Sequence, residues 1–75
     1  MSPEKLAHMA NQIATFFRLK PADEAARGVA GHINDFWEPR MRAQLLALIE
    51  AGGAGLDPLV MRAGPDIRRP ESARI

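Results

Sequence analysis

Four of the six prolines lie where a helix can begin, and they divide most of this 75-residue chain into helical segments. Pro3 follows Ser2, a good capping residue, and Pro21 precedes two acidic residues, while Pro39 and Pro58 open two later segments. Proline has no N–H and a φ fixed at about −65°, so it suits the first turn of a helix and disrupts the interior. The prolines therefore predict the helix starts, and no segment shows the pattern of a strand.

The first segment carries a long apolar stripe. Its apolar residues recur three or four positions apart, as they do on one face of an α-helix. They are Leu6, Met9, Ala10, Ile13, Phe16 and Phe17. We expect this stripe to face the core of a helical bundle. His8 falls on the polar side, where no second metal-ligand type follows at helical spacing, so we expect it to be solvated.

The second segment should be helical from about Pro21 to Phe36. Its stripe consists of Ala22, Ala25 or Ala26, Val29, Ile33, Phe36 and Trp37. Gly28 and Gly31 interrupt it, and each costs roughly 1 kcal/mol relative to alanine inside a helix. We expect a neighbouring backbone to approach closely near these glycines, with a break in the helix as the alternative.

The third segment should run from Pro39 to about Glu50 or Ala51, and Gly52-Gly53 supplies the left-handed residues that close such helices. Its stripe consists of Met41, Leu45, Leu48 and Ile49. Leu46 lies off this stripe, so we expect it on the exposed side, where it widens the surface into a strip for a partner. Asp57 and Pro58 predict a short fourth helix.

The sequence therefore predicts an all-α fold, a small bundle of three helices plus a short fourth helix, in one domain over residues 1–64. Residues 65–75 are charged and bounded by prolines. We expect them to form a flexible C-terminal tail, or an arm that becomes ordered only on a partner.

Composition removes several functional classes from consideration. The chain has no cysteine, which excludes disulfides and thiolate metal sites, and its two serines lie near the termini. We therefore expect no catalytic, cofactor-binding or metal-binding residues. Ten basic side chains against nine acidic ones favour neither nucleic acid nor a membrane surface. No apolar run approaches a membrane span of roughly 18 residues, and no signal peptide opens the chain, so a cytoplasmic location is expected.

Three segments, residues 9–17, 32–42 and 52–60, together resemble the delta subunit of the soluble, NAD-dependent, molybdenum-containing formate dehydrogenases. They occur in the same order as in that family, and the similarity spans roughly residues 1–62. The tail from Pro65 onwards lies outside it.

The resemblance implies a non-catalytic small subunit of a bacterial cytoplasmic complex that oxidises formate to CO2 and reduces NAD. In that family a large subunit holds bis-molybdopterin guanine dinucleotide and iron–sulfur clusters, and further subunits hold clusters and FMN. The delta subunit is expected to bind the large subunit and support its assembly, stability or cofactor maturation. The alternative is an independent small helical adaptor or regulatory protein, possibly homodimeric.

The corner between the second and third segments is the candidate contact with the large subunit. Trp37 and Arg40 are residue types often found as interface anchors. Together with Arg42 and Leu46 they form our predicted partner-binding set, because a module this small has reason to be docked. In the competing interpretation, Phe36 and Trp37 close the module's own core and the two arginines are solvated. For Phe36 we favour the core.

Overall fold

The fold was analysed in a computed structural model that describes residues 2–70. Four helices follow one another: α1 (Pro3–Phe17), α2 (Ala22–Phe36), α3 (Pro39–Glu50) and α4 (Pro58–Ala63). A 3-10 turn over Gly64–Asp66 continues from α4. No strand occurs within residues 2–70. The predicted all-α fold of three helices and a short fourth is therefore confirmed.

Local sequence signals set the helix ends. The Ser2 side chain accepts a hydrogen bond from the Lys5 backbone N–H at 3.2 Å, and the Asp57 side chain accepts one from Leu59 at 2.9 Å. These bonds satisfy N–H groups that have no partner inside a helix. After α3, Gly52 and Gly53 have φ values of 113° and 70°, which glycine adopts without strain. The predicted caps and stop are confirmed.

The core lies where the four helices meet. Its largest fully buried side chains are Leu6, Val29, Ile33, Leu45 and Val60. Small buried residues between them let the helices approach closely; these are Ala10, Ala14, Ala30 and Ala63. Central residues of the predicted stripes on α1, α2 and α3 thus face the same interior.

Close packing explains why one of the two positions inside α2, residue 28, is a glycine. A Cβ built on Gly28 would lie 2.5 Å from two ring carbons of Phe17, closer than real atoms approach. The expected close approach therefore occurs here, but an aromatic ring makes it rather than a backbone. Around Gly31, no described atom lies within 4 Å of such a Cβ. The alternative of a helix break is wrong, because α2 is continuous through both glycines.

The C-terminal segment, residues 64–70, packs against the bundle. Ile67 is buried in the core cluster. Asn34 Nδ2 donates to the Asp66 carbonyl at 3.0 Å, and Asn34 Oδ1 accepts from the Arg68 N–H at 2.8 Å. The expected tail of residues 65–75 therefore differs from the structure over 65–70. A single isoleucine among charged residues carried no periodic signal that predicts this packing. Residues 71–75 of the expected tail lie outside the described residues.

Three large apolar side chains lie in positions that differ from the predicted ones. Phe16 is 76% exposed and Phe36 is 73% exposed, although both were assigned to apolar stripes facing the core. Leu46, expected on the exposed side, is 5% exposed. These two phenylalanines lie at the edges of their stripes, where no described helix covers them.

The C-terminal segment accounts for the burial of Leu46. Arg42 and Glu50 lie one turn before and one turn after Leu46 on the same face of α3. Arg42 Nε donates to the Arg68 carbonyl at 3.1 Å, and Glu50 forms an ion pair with Arg69. These two contacts lie on either side of Leu46, so residues 68 and 69 run over this face.

Candidate functional site

Metal-ligating side chains do not cluster in the part of the chain that the structure describes. No group of three or more His, Cys, Asp or Glu side chains within residues 2–70 is arranged to hold a metal ion. Over the same residues, no helix is both long enough and apolar enough to cross a membrane.

The predicted partner-binding corner is mostly engaged within the chain. Trp37 is 6% exposed and belongs to the core cluster. Arg42 Nη1 donates to the Trp37 carbonyl at 2.9 Å, and its Nε donates to Arg68 as described above. Arg42 thus ties the end of α2 to the C-terminal segment, across the start of α3.

The four predicted residues therefore have different surroundings. The structure brings Trp37 and Arg42 together and places Leu46 one turn further along α3. Trp37 and Leu46 keep little side-chain surface for a partner, because both are buried within the chain. Arg40 is the most accessible of the four and lies on the exposed side of α3.

An apolar groove runs between α1 and α2, with a volume of about 520 Å³. We call it the α1–α2 groove. Its lining consists of Met9, Gln12, Ile13, Phe16, Phe17, His32 and Trp37. Among the described residues, no acidic side chain, lysine or arginine lines it. Gln12 and His32 supply its polar side chains, so the groove suits an uncharged, largely apolar occupant.

Aromatic contacts shape this groove. The Phe17 ring packs on Gly28, and the Phe16 ring meets Phe17 edge-on, with centroids 5.0 Å apart and planes at 89°. On the other side, the His32 ring lies against Phe36 with a centroid distance of 4.8 Å. Such aromatic pairs hold their rings in place. Phe16 therefore presents a largely exposed ring in the lining of the groove, and Phe36 presents one beside the lining residue His32.

A second groove lies near the start of α4 and has several charged side chains in its lining. It is lined by Arg18, Lys20, Ala22, Ala25, Asp57, Pro58, Leu59 and Arg62. Most of its charged groups are paired: Arg18 with Asp57, and Arg62 with Asp23 at 2.5 Å. Asp57 also caps α4. The charges here connect elements of the fold to each other.

The exposed phenylalanines were missed at the sequence level, although adjacent pairs carry a signal for them. Successive residues of a helix point about 100° apart, so two neighbouring aromatic residues rarely face one core equally. In Phe16-Phe17 the second ring packs on α2 and the first is exposed. In Phe36-Trp37 the tryptophan is buried and the phenylalanine is exposed.

Comparison with known proteins adds one finding. Residues 5–63 match the sequence profile of a protein family described as the NADH-dependent formate dehydrogenase delta subunit, FdsD. The match includes nearly all of α1, the whole of α2, α3 and α4, and the α1–α2 groove. A search of curated proteins finds no match to the chain.

Proposed function

Since this chain belongs to the delta-subunit family of NADH-dependent formate dehydrogenases, we propose that it is a non-catalytic subunit that binds the molybdenum-bearing large subunit. In this proposal it supports the assembly, stability or cofactor maturation of that subunit, in the cytoplasm. The observation that carries the proposal is the family match across all four helices. The α1–α2 groove, with the exposed Phe16 ring in its lining, supports it, because exposed apolar surface on a small domain marks an interaction site.

The cofactors of such a complex belong, in our proposal, to other subunits. Iron–sulfur clusters are held by cysteine thiolates, and this chain has no cysteine. The glycine-rich stretch at residues 52–55 follows a helix and lacks the lysine and hydroxyl residue of a phosphate-binding loop. The residues present therefore do not fit iron–sulfur clusters or a nucleotide, and we assign the molybdenum cofactor, the clusters and FMN to partner subunits.

The proposal is tested by producing the complex with and without this chain. We expect the chain to co-purify with the large subunit. We also expect the complex made without it to lose formate-dependent NAD reduction, molybdenum content or yield. Measuring all three separates a role in assembly from a role in cofactor maturation. Unchanged activity, metal content and yield, with no co-purification, would contradict the proposal.

The second candidate function is an independent helical adaptor that forms a homodimer. The same groove favours it, because two copies can cover each other's exposed phenylalanines. The molar mass of the free chain in solution, measured by sedimentation, distinguishes a dimer from a monomer. A stable dimer that binds no formate dehydrogenase subunit would favour the adaptor.

A further inference from the structure

We infer that the α1–α2 groove receives the apolar face of a helix from the large subunit, with Phe16 in its lining and Phe36 next to it, against the lining residue His32. This inference rests on the proposed function and specifies the surface and the kind of element that binds there. It differs from the sequence-based hypothesis, in which the corner at Trp37, Arg40 and Arg42 makes the contact.

The openness of the groove favours a protein segment over a small molecule. Small-ligand pockets enclose most of the ligand surface and orient it with several polar groups. Here Phe16 and Phe36 are each about three-quarters exposed, and the polar side chains of the lining are Gln12 and His32. Such a surface buries apolar area well but offers little to fix the orientation of a small molecule.

The charge of the lining defines the chemistry of the occupant. Within the described residues, no Asp, Glu, Lys or Arg side chain lines the groove, whereas the second groove is lined by Arg18, Lys20, Asp57 and Arg62. An unpaired charge placed in an apolar groove would lose its hydration without compensation. The inserted face of the partner must therefore be uncharged, with large apolar side chains.

The helical geometry of the groove favours a helix as the occupant. Met9, Ile13 and Phe16 follow one another at spacings of four and three residues along α1, which makes a ridge. A short turn joins α1 to α2, and His32 and Phe36 form a ridge on that neighbouring helix. The channel between two such ridges accepts the side chains of a third helix at its own three- and four-residue spacing.

The C-terminal segment of this chain covers a different side of α2. Asn34 binds Asp66 and Arg68, and Asn34 points about 200° away from His32 around the helix. Residues 66–68 thus follow a flank away from the groove. Membership of a subunit family makes another subunit the expected occupant, and a second copy of the chain is an outcome that the experiment distinguishes.

The central test combines Phe16→Ser with Phe36→Ser in the full chain and measures the dissociation constant for the large subunit. We expect the dissociation constant to rise roughly 100-fold, because each substitution removes a ring that the complex would bury. This corresponds to about tenfold, or about 1.4 kcal/mol, for each ring. Both rings are exposed in the free chain, so its thermal midpoint should change little. The matched control is Leu19→Ser, because Leu19 is 96% exposed and lines neither groove.

The outcomes separate this inference from the proposed function. If the double variant and the Leu19 control both bind the large subunit as tightly as the wild type, the groove is not the contact surface. The assignment as a subunit would then remain. Equal weakening by the Leu19 control would also overturn it, because general surface apolarity would then explain the loss. If the wild-type chain does not bind the large subunit at all, the proposed function itself fails. If the free wild-type chain is a dimer, the double variant is a monomer and both bind the large subunit equally, the occupant of the groove is a second copy of this chain.

A crosslinking experiment tests the helical form of the occupant independently. Gln12 is exposed and lines the groove, so a photoreactive amino acid at this position should leave the fold intact. Mass spectrometry of the irradiated complex should find the adduct on an apolar face of a helix in the large subunit. An adduct on a strand, on a charged loop or on another copy of this chain would overturn the inference.

Discussion

Two glycines in α2 provide a matched pair of substitutions with opposite expected effects. Gly28→Ala and Gly31→Ala make the same chemical change three residues apart in one helix. Each should gain roughly 0.5–1 kcal/mol from the higher helix propensity of alanine. Their surroundings differ, because a Cβ at Gly28 meets the Phe17 ring at 2.5 Å while none of the described atoms lies within 4 Å of a Cβ at Gly31.

The packing cost should dominate at Gly28. Phe17 is half-buried against the core, so a methyl group at Gly28 forces the ring outward and removes part of its packing. Inserting a methyl group into a packed site typically costs about 1–3 kcal/mol. We therefore expect Gly31→Ala to raise the free energy of unfolding by about 0.5–1 kcal/mol. Gly28→Ala should lower it, leaving the two variants about 1–3 kcal/mol apart.

Urea denaturation followed by helical circular dichroism measures both values. In a domain of this size, 1 kcal/mol corresponds to a shift of the thermal midpoint of roughly 4–8 °C, so a melting curve provides a second readout. Propensity cancels in the difference between the variants, which therefore reports the Phe17 contact. Equal stabilisation by both substitutions would refute the packing of Phe17 on Gly28, and with it our account of why Phe16 is exposed.

Two further predictions concern the corner and the C-terminal segment. Arg42→Ala should lower the free energy of unfolding by about 1–3 kcal/mol, because it leaves the carbonyls of Trp37 and Arg68 without their donor. Arg40→Ala should change the free energy of unfolding by less than about 0.5 kcal/mol. Weaker binding of this variant to the large subunit would therefore support the sequence-based hypothesis that the corner makes the contact. Because Leu46 is buried, Leu46→Ala should lower the free energy of unfolding by about 2–5 kcal/mol, measured by urea denaturation. A change near zero would mean that the C-terminal segment does not cover Leu46.

Local sequence signals are enough to place the beginning and the end of each helix. Ser2, Asp57 and the prolines act on backbone groups within about one turn, so their effect does not depend on the rest of the fold. Gly52 and Gly53 close α3 for the same local reason, through their positive φ values. The family assignment also came from sequence, since the resemblance seen in three segments agrees with the match over residues 5–63.

Which side of each apolar stripe is covered depends on how the helices pack together. Helical periodicity defines a face, but burial depends on which neighbouring element lies over it. Phe17 is packed because α2 offers the flat surface of Gly28, and the next residue back, Phe16, is left exposed. Leu46 is buried on the side of α3 to which Arg68 and Arg69 return, from 26 and 19 positions further along the chain, to contact Arg42 and Glu50. Contacts between residues so far apart in sequence follow from the packing of whole elements, which no local pattern specifies.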